Sequence, residues 1–368
     1  MEEYQGPLLS AQSTVQEPPA LWQQGMASHW QADAPRIDPG GDYGDQLLIK
    51  GATPRPLKLN GAFAELSRIG TALHPGEPFR YGDGHSPQFR LQQQIDQGLD
   101  GEVLYPTLGA FIFTSPDGDY QQAACAVYND WIADFIRQDT SRLKAMALLP
   151  ARADMDALVA EAKRAAEIGL SGVILPARNA VNAYNAPEWD ELWGVLQESG
   201  LVCSFHLGAE EGAALAPVGP GAAGILLSTG KYELNEVLQM LVWGGAVMRF
   251  PELQWGLVGS GTGWVATQIN LMNHWWNDHK GWMQPRLEQS PVDYWLRQFH
   301  ATFNEDGPGV ATREITGTAN QLWAAAPKSV TSENYRAQVS RTLGHLPRDE
   351  LVQLVHGNTR RLFGFAPV

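Results

Sequence analysis

Leu8-Leu9-Ser10-Ala11-Gln12-Ser13-Thr14-Val15-Gln16-Glu17-Pro18-Pro19-Ala20-Leu21-Trp22 opens on an apolar pair and closes on a proline pair and a tryptophan. The small polar residues in between read as a strand that runs out into a loop at Glu17-Pro18-Pro19. As the first strand of an α/β barrel it would deliver Gln12, Ser13 and Thr14 to the mouth, where such barrels carry their chemistry.

Downstream, from Gln23 to Asp100, the chain is rich in Gly, Pro and Asp and lacks strong alternation. It reads as a long excursion after the first strand, with one amphipathic helix near Pro87 to Gln97. A repeating pattern then begins. Strands are expected at Glu102–Thr107, Leu143–Pro150, Gly172–Ala177, Leu201–Leu207, Leu253–Ser260, Phe299–Glu305 and Gln321–Ala326. Helical spacing fills the gaps at Gln121–Gln138, Asp154–Ile168, Pro187–Ser199, Tyr232–Met248 and from Trp264 through His274, with Gly169 and Gly200 placed as helix stops. Two closing helices cover Asn334–Leu343 and Arg348–Arg361, within a C-terminal stretch 334–368. Strands alternating with helices, eight in all, predict a single (β/α)8 TIM-like barrel domain over residues 1–368, with residues 23–100 as its insertion. A doubly wound open sheet is the alternative, but no Gly-x-Gly-x-x-Gly follows a strand and no Gly-x-x-x-x-Gly-Lys is present. There is no sequence repeat of the length that marks solenoids.

Composition narrows the function. The 368 residues are 44% hydrophobic and 18% charged, with a formal net charge of −14. That charge argues against nucleic acid or an anionic membrane surface as a partner. No apolar run reaches the ~18 residues of a membrane span, and Met1-Glu2-Glu3 is unlike a secretory signal, so a cytoplasmic location is expected. Cys125 and Cys203 sit in apolar segments and are expected as buried free thiols. The thirteen tryptophans point to an aromatic core, a subunit interface or an apolar pocket.

The opening stretch resembles the amidohydrolase superfamily, in the amidohydrolase 2 branch that includes aminocarboxymuconate-semialdehyde decarboxylase. Members of that branch commonly begin Ser-Ala-Asp-Ser-His-Val-x-Glu-Pro-Pro-x-Leu-Trp, with the Asp and the His helping to hold a divalent metal. Gln12 stands at the Asp position and Thr14 at the His position. Further along, Asp96-x-x-Leu99-Asp100-Gly101-Glu102, Tyr128-Asn129-Asp130-Trp131, Phe205-His206-x-Gly208, Ser260-Gly261-x-Gly263-Trp264 and Gly357-Asn358-x-x-Arg361-Leu362-Phe363-Gly364 follow in family order. The family's last strand commonly reads Trp-Gly-Ser-Asp-Tyr-Pro-His; here it is Trp323-Ala324-Ala325-Ala326-Pro327-Lys328. Of the positions that resemble metal ligands, His206 alone keeps a ligating side chain.

A catalytic divalent ion needs about three or four protein donors, mostly imidazole, carboxylate or thiolate. The inferred strand ends offer Gln12, Thr14, Arg178, His206, Ser260, Asn304 and Lys328. No metal and no other cofactor is therefore expected, unless His206 joins Glu305 or Asp306 in a rearranged site. His206 is the candidate general acid or base, against the plainer reading of a hydrogen-bonded pocket residue. Lys328 and Arg178 are candidate anchors for a carboxylate or enolate oxygen, against a solvated loop lysine and an internal salt bridge. Gln12, Thr14, Ser260, Asn304 and Trp323 are candidate substrate contacts, or in the case of Gln12 and Thr14 simple fillers of volume. Glu17 reads as a structural hydrogen-bonding residue of its loop. Glu210-Glu211 could tune His206, though such pairs are commonly solvated.

The leading expectation is a metal-independent enzyme of lyase, isomerase or cyclisation type, acting on an apolar small molecule in specialised metabolism. The alternative is a catalytically silent subunit that pairs with a metal-containing paralogue; the third is a decarboxylase or hydrolase with rearranged ligands. The resemblance also implies a homodimer, or a heteromer with a paralogue.

Overall fold

The computed structural model describes residues 3–41, 44–56, 86–206, 228–229, 232–325 and 334–366. Strand β1 (Leu9–Val15) is followed by a short helix α1 (Leu21–Gly25) and by β2 (Arg36–Gly41), β3 (Gly44–Leu48) and β4 (Arg55–Pro56). These last three form a small antiparallel sheet within the excursion. Helix α2 (Pro87–Gln97), capped by the Ser86 hydroxyl, returns the chain to β5 (Gly101–Pro106). Alternation follows: α3 (Gly118–Ile136), β6 (Leu143–Leu148), α4 (Met155–Glu167), β7 (Gly172–Pro176), α5 (Asp190–Ser199) and β8 (Val202–His206). Then come α6 (Tyr232–Trp243), α7 (Ala246–Arg249), β9 (Trp255–Val258), α8 (Val265–His279), α9 (Pro291–Gln298) and β10 (Phe299–Phe303). The chain ends with α10 (Gly307–Ala311), α11 (Arg313–Thr316), β11 (Gln321–Trp323), α12 (Tyr335–Leu343), α13 (Arg348–Val352) and α14 (Asn358–Phe363).

Eight of these strands make one parallel sheet in the order β1-β5-β6-β7-β8-β9-β10-β11. Strands β5, β7, β9 and β10 are buried at every position, as a sheet covered on both faces requires. The ends of the sheet meet: the Ala325 N–H, just past β11, donates to the Ser10 hydroxyl on β1 at 2.9 Å. The result is the nearly closed (β/α)8 barrel expected from the sequence. Ladder pairing of β1 with β5 slips between Ser10 and Ser13. Ser13 and Ser10 face each other there at 2.9 Å, so Ser13 serves the seam and not the mouth.

Polar side chains fix the outer elements to the barrel. The Arg90 guanidinium on α2 forks onto Glu102 of β5 with two contacts of 2.6 Å, and Gln94 adds a third bond to the same carboxylate at 2.7 Å. Burial by itself would raise the Glu102 pKa, but the attraction of Arg90 overcomes it and holds the carboxyl below its ordinary value. On α3, the Asn129 amide bonds both the N–H and the C=O of Leu148 at the end of β6, at 2.8 and 2.9 Å. The tryptophans fall mainly in the core. Trp189 and Trp193 on or beside α5 stack on one another, and Trp193 meets Trp255 of β9 edge-on at 5.1 Å. Each fully buried indole contributes on the order of 5 kcal/mol of apolar burial before conformational entropy is subtracted. Cys125 and Cys203 are buried free thiols, as expected, and burial raises both pKa values. Among the described residues no helix is long and apolar enough to cross a membrane.

Several details depart from expectation. Helix Tyr232–Met248 is interrupted where Gly244 and Gly245 separate α6 from α7. Helix α8 begins at Val265, with Trp264 at its N-cap and not inside it. A π-helical turn, Gln353–Gly357, divides the last predicted helix.

Candidate active site at the barrel mouth

Partners in a parallel ladder point to the same side of the sheet, so one inward residue locates the others. Ser204 pairs with Ile174 and Gly256, His206 with Pro176 and Val258, His300 with Gly256, and Thr302 with Leu322. Tyr105 pairs with Thr14 on the other side of the barrel. Two hydrogen bonds show that this set faces the lumen, because they join strands that are not neighbours. The Tyr105 hydroxyl on β5 lies 3.1 Å from the Ser204 hydroxyl on β8. The Thr302 hydroxyl on β10 donates to the side-chain amide oxygen Oε1 of Gln12 on β1 at 2.9 Å. Thr302 in turn accepts the Gly259 N–H at 2.8 Å, which holds the start of the loop after β9.

Glycine at 256 makes this arrangement possible. A Cβ there would come within 2.6 Å of the Ser204 hydroxyl oxygen. Above Ser204, two residues along the same strand, His206 sits half-buried with its ring 6.0 Å from the Tyr105 ring and tilted by 32°. Tyr105 is fully buried, and burial drives its pKa well above the ordinary phenol value despite the opposing bond from Ser204. The phenol is therefore neutral at physiological pH and holds its proton.

The other expected residues distribute as follows. Gln12 and Thr14 lie at the mouth, with the Gln12 side-chain Oε1 taken by Thr302. Ser260 bonds back to the Gly261 carbonyl at 2.9 Å. The Asn304 amide donates to the Ala324 carbonyl at 2.7 Å and accepts from Gln338, bridging the ends of β10 and β11 to α12. Arg178, expected as an anion anchor, instead forks onto Glu236 of α6 at 2.8 Å and approaches Glu233. Trp323, expected against substrate, is turned to the far side of its strand, where it is fully buried and packs edge-on against Tyr335. Leu322, the ladder partner of Thr302, takes the inward position beside it. Lys328 and Glu210-Glu211 lie outside the described residues.

Glu17 holds the rim. Its buried carboxylate accepts the N–H groups of Thr107, Leu108 and Gly109 at 2.8 to 3.0 Å, joining the loop after β1 to the loop after β5. Burial raises its pKa, and those three N–H bonds oppose the rise. On the opposite rim the Asp306 carboxylate accepts from the Thr262 and Gly263 N–H groups at 2.6 and 2.8 Å, and from Gly309 at 3.0 Å. Glu305 pairs with Arg341 and Gln338.

The resemblance implies a divalent metal at this mouth. Its donors would be one imidazole, an amide already bonded to Thr302, and a threonine hydroxyl, while Asp306 and Glu305 are engaged with backbone and with α12. Among the described residues no three His, Cys, Asp or Glu side chains come together. That donor set does not fit such an ion.

Tyr105, Ser204 and Thr302 were not singled out in the sequence. The signal was there: Ser204 stands two residues before His206 on one strand, and Thr302 stands two before Asn304 on another.

The amidohydrolase family model matches residues 83–365. No curated protein matches the sequence. Among solved structures, an amidohydrolase from Mycobacterium avium subsp. paratuberculosis superposes with a TM-score of 0.78 at 15% identity, covering 98% of this chain and 100% of that one. The 5-carboxyvanillate decarboxylase of Sphingomonas paucimobilis gives 0.70 at 16% identity, with 98% and 99% covered. The 2,6-dihydroxybenzoate decarboxylase of Rhizobium gives 0.64 at 15%, again with 98% and 99% covered. At such identities the superpositions speak for the fold alone, but the family match spans the barrel from α2 to the last helix: the chain belongs to the amidohydrolase family.

Proposed function

We propose that the protein is a metal-independent enzyme of lyase, isomerase or cyclisation type that acts on an apolar small molecule at the barrel mouth, with His206 moving the proton. The observation that supports this most is the bonded set Tyr105–Ser204 and Gln12–Thr302 in the lumen, with His206 directly above it. Hydroxyls and an amide that satisfy one another make a firm polar floor, and preorganised dipoles cost no rearrangement during reaction. Around them Pro176, Val258 and Leu322 supply apolar wall.

A step suited to this mouth is proton transfer next to a carbonyl. The His206 imidazole takes a proton from carbon, the C–H electron pair passes to the carbonyl oxygen as an enolate, and the same proton returns to a second position. No electrons enter or leave. Tyr105 and Ser204, buried beneath, act as positioning residues for the imidazole. Lyase chemistry is in keeping with the decarboxylases that share the fold.

The test is turnover by the purified protein of a panel of aromatic hydroxy acids, including 2,6-dihydroxybenzoate and 5-carboxyvanillate, and of enolisable ketones, with and without chelator. Activity that survives chelator and is lost in His206→Ala supports the reading. Activity abolished by chelator and restored by added manganese or zinc overturns it.

A further inference from the structure

Gln12 stands at the end of a short hydrogen-bond relay. The Gly259 N–H donates to the Thr302 hydroxyl oxygen at 2.8 Å, and that hydroxyl donates to Gln12 Oε1 at 2.9 Å. Thr302 is only 2% exposed, so its single proton needs an acceptor within the protein. Turning the Gln12 amide over would set a second donor against that hydroxyl oxygen and leave the proton unspent. The amide therefore keeps one orientation, with Oε1 on Thr302 and Nε2 directed away from it.

Nε2 is the end left over. Gln12 is half-buried, and among the described residues its one side-chain hydrogen bond is the one to Oε1. A Cβ at Gly259 would lie 3.6 Å from Nε2, with no other atom of the described residues within 4 Å. Gly259, at φ 86°, adds no side chain there, so Nε2 borders open space at the end of β9. Gly259 directly follows Val258, the ladder partner of His206. The strand end is thus flanked by the imidazole from the β8 side and by the amide from the β10 side.

We infer that Gln12 Nε2 donates a hydrogen bond to the substrate oxygen that gains negative charge, with Thr302 and Gly259 as its positioning residues. The inference rests on the proton transfer proposed above. As the His206 imidazole takes a proton from carbon, the C–H electron pair moves to the carbonyl oxygen, and a fixed N–H beside that oxygen stabilises it without rearrangement. This narrows the substrate class to compounds that carry an acceptor oxygen, carbonyl or carboxylate, next to the reacting carbon. A glutamate at this position would accept the same Thr302 proton but turn a carboxylate oxygen towards the mouth, where it would repel such a group. Glutamine reverses that polarity. Loss of a single donor of this kind costs about 10²–10³ in kcat.

The test is binding of 4-nitrophenol, a probe with one ionisable oxygen on an apolar ring, to the full-length protein in chelator, followed by absorbance as pH is varied. Wild type is expected to bind the phenolate in preference to the phenol, which lowers the pKa of the bound probe. Gln12→Met, neutral and of similar length, is expected to weaken phenolate binding about 10- to 100-fold and abolish that shift. Gln12→Glu keeps an acceptor for Thr302 and is expected to reverse it. Thr302→Val, which unlocks the amide, should fall between wild type and Gln12→Met, and Thr302→Ser should recover wild-type binding. None of these readouts needs turnover. A shift that depends on Gln12 in a protein that turns over no ketone or acid supports the donor and removes the proposed reaction. Equal phenolate binding by wild type, Gln12→Met and Gln12→Glu overturns the inference, and so does a wild type that binds neither form or prefers the phenol.

Discussion

The Tyr105 and Ser204 hydroxyl oxygens lie 3.1 Å apart across the barrel lumen, joining the second strand of the sheet to the fifth. Neither residue is reachable from the other along the sheet, so the bond ties together opposite walls of the barrel. It also sets the floor on which His206 rests.

Gly256→Ala is expected to break this bond, because its methyl would sit 2.6 Å from the Ser204 hydroxyl oxygen. Overpacking of this kind costs about 1–3 kcal/mol. In a Ser204→Ala background the clash is relieved, so the same change costs less. A double-mutant cycle by urea unfolding measures the difference, and additivity of the two changes would exclude the proposed contact.

His300 gives the barrel an acid-sensitive point. It faces the lumen floor, bonds Gln254 at 2.9 Å, and burial lowers its pKa to about 3, with the positive charge of Arg361 adding to the effect. The folded state thus keeps the ring neutral while the unfolded chain protonates near the ordinary value of about 6.5. Stability from this residue is full above that value and falls as pH drops from 6.5 towards 3, by up to ~1.4 kcal/mol per pH unit. His300→Gln is expected to flatten the pH dependence of unfolding in that window; an unchanged slope would contradict the assignment.

Removing the Glu17 carboxylate leaves three buried N–H groups without their acceptor. Glu17→Ala is expected to cost at least ~3 kcal/mol, and Glu17→Gln less, since its carbonyl oxygen keeps part of the set. Thermal unfolding of the pair orders them.

Asp306→Ala is expected to free the loop at residues 259–263 by removing the acceptor of the Thr262 and Gly263 N–H groups. The loss is about 2–3 kcal/mol, as for other hydrogen bonds to a charged acceptor. Amide exchange at those two positions should speed up while exchange in β9 stays slow; uniform protection throughout would show the clamp to be idle.

Barrel strands were readable because a sheet buried on both faces demands unbroken apolar runs such as Gly172–Pro176. The sheet β2–β4 was not. Arg36–Gly41 reads RIDPGG, whose Pro and two Gly disguise a paired strand. Local pattern also could not reveal which side a three-residue strand turns outward, so Trp323 was assigned to the mouth when Leu322 holds the inward place. For Arg178 the structure takes the internal salt bridge over the anion anchor, and its partner Glu236 lies 58 residues away on α6, so nothing local names it. His206, by contrast, could be placed, because the end of a barrel strand is fixed by the strand itself.

On the proposed function, the mouth works through its own side chains. Elemental analysis of the full-length protein, purified without chelator and then equilibrated with zinc and manganese, tests this most directly. Less than ~0.1 equivalent of any divalent transition metal per chain is expected, unchanged by His206→Ala. Near one equivalent, lost on that substitution, would contradict it.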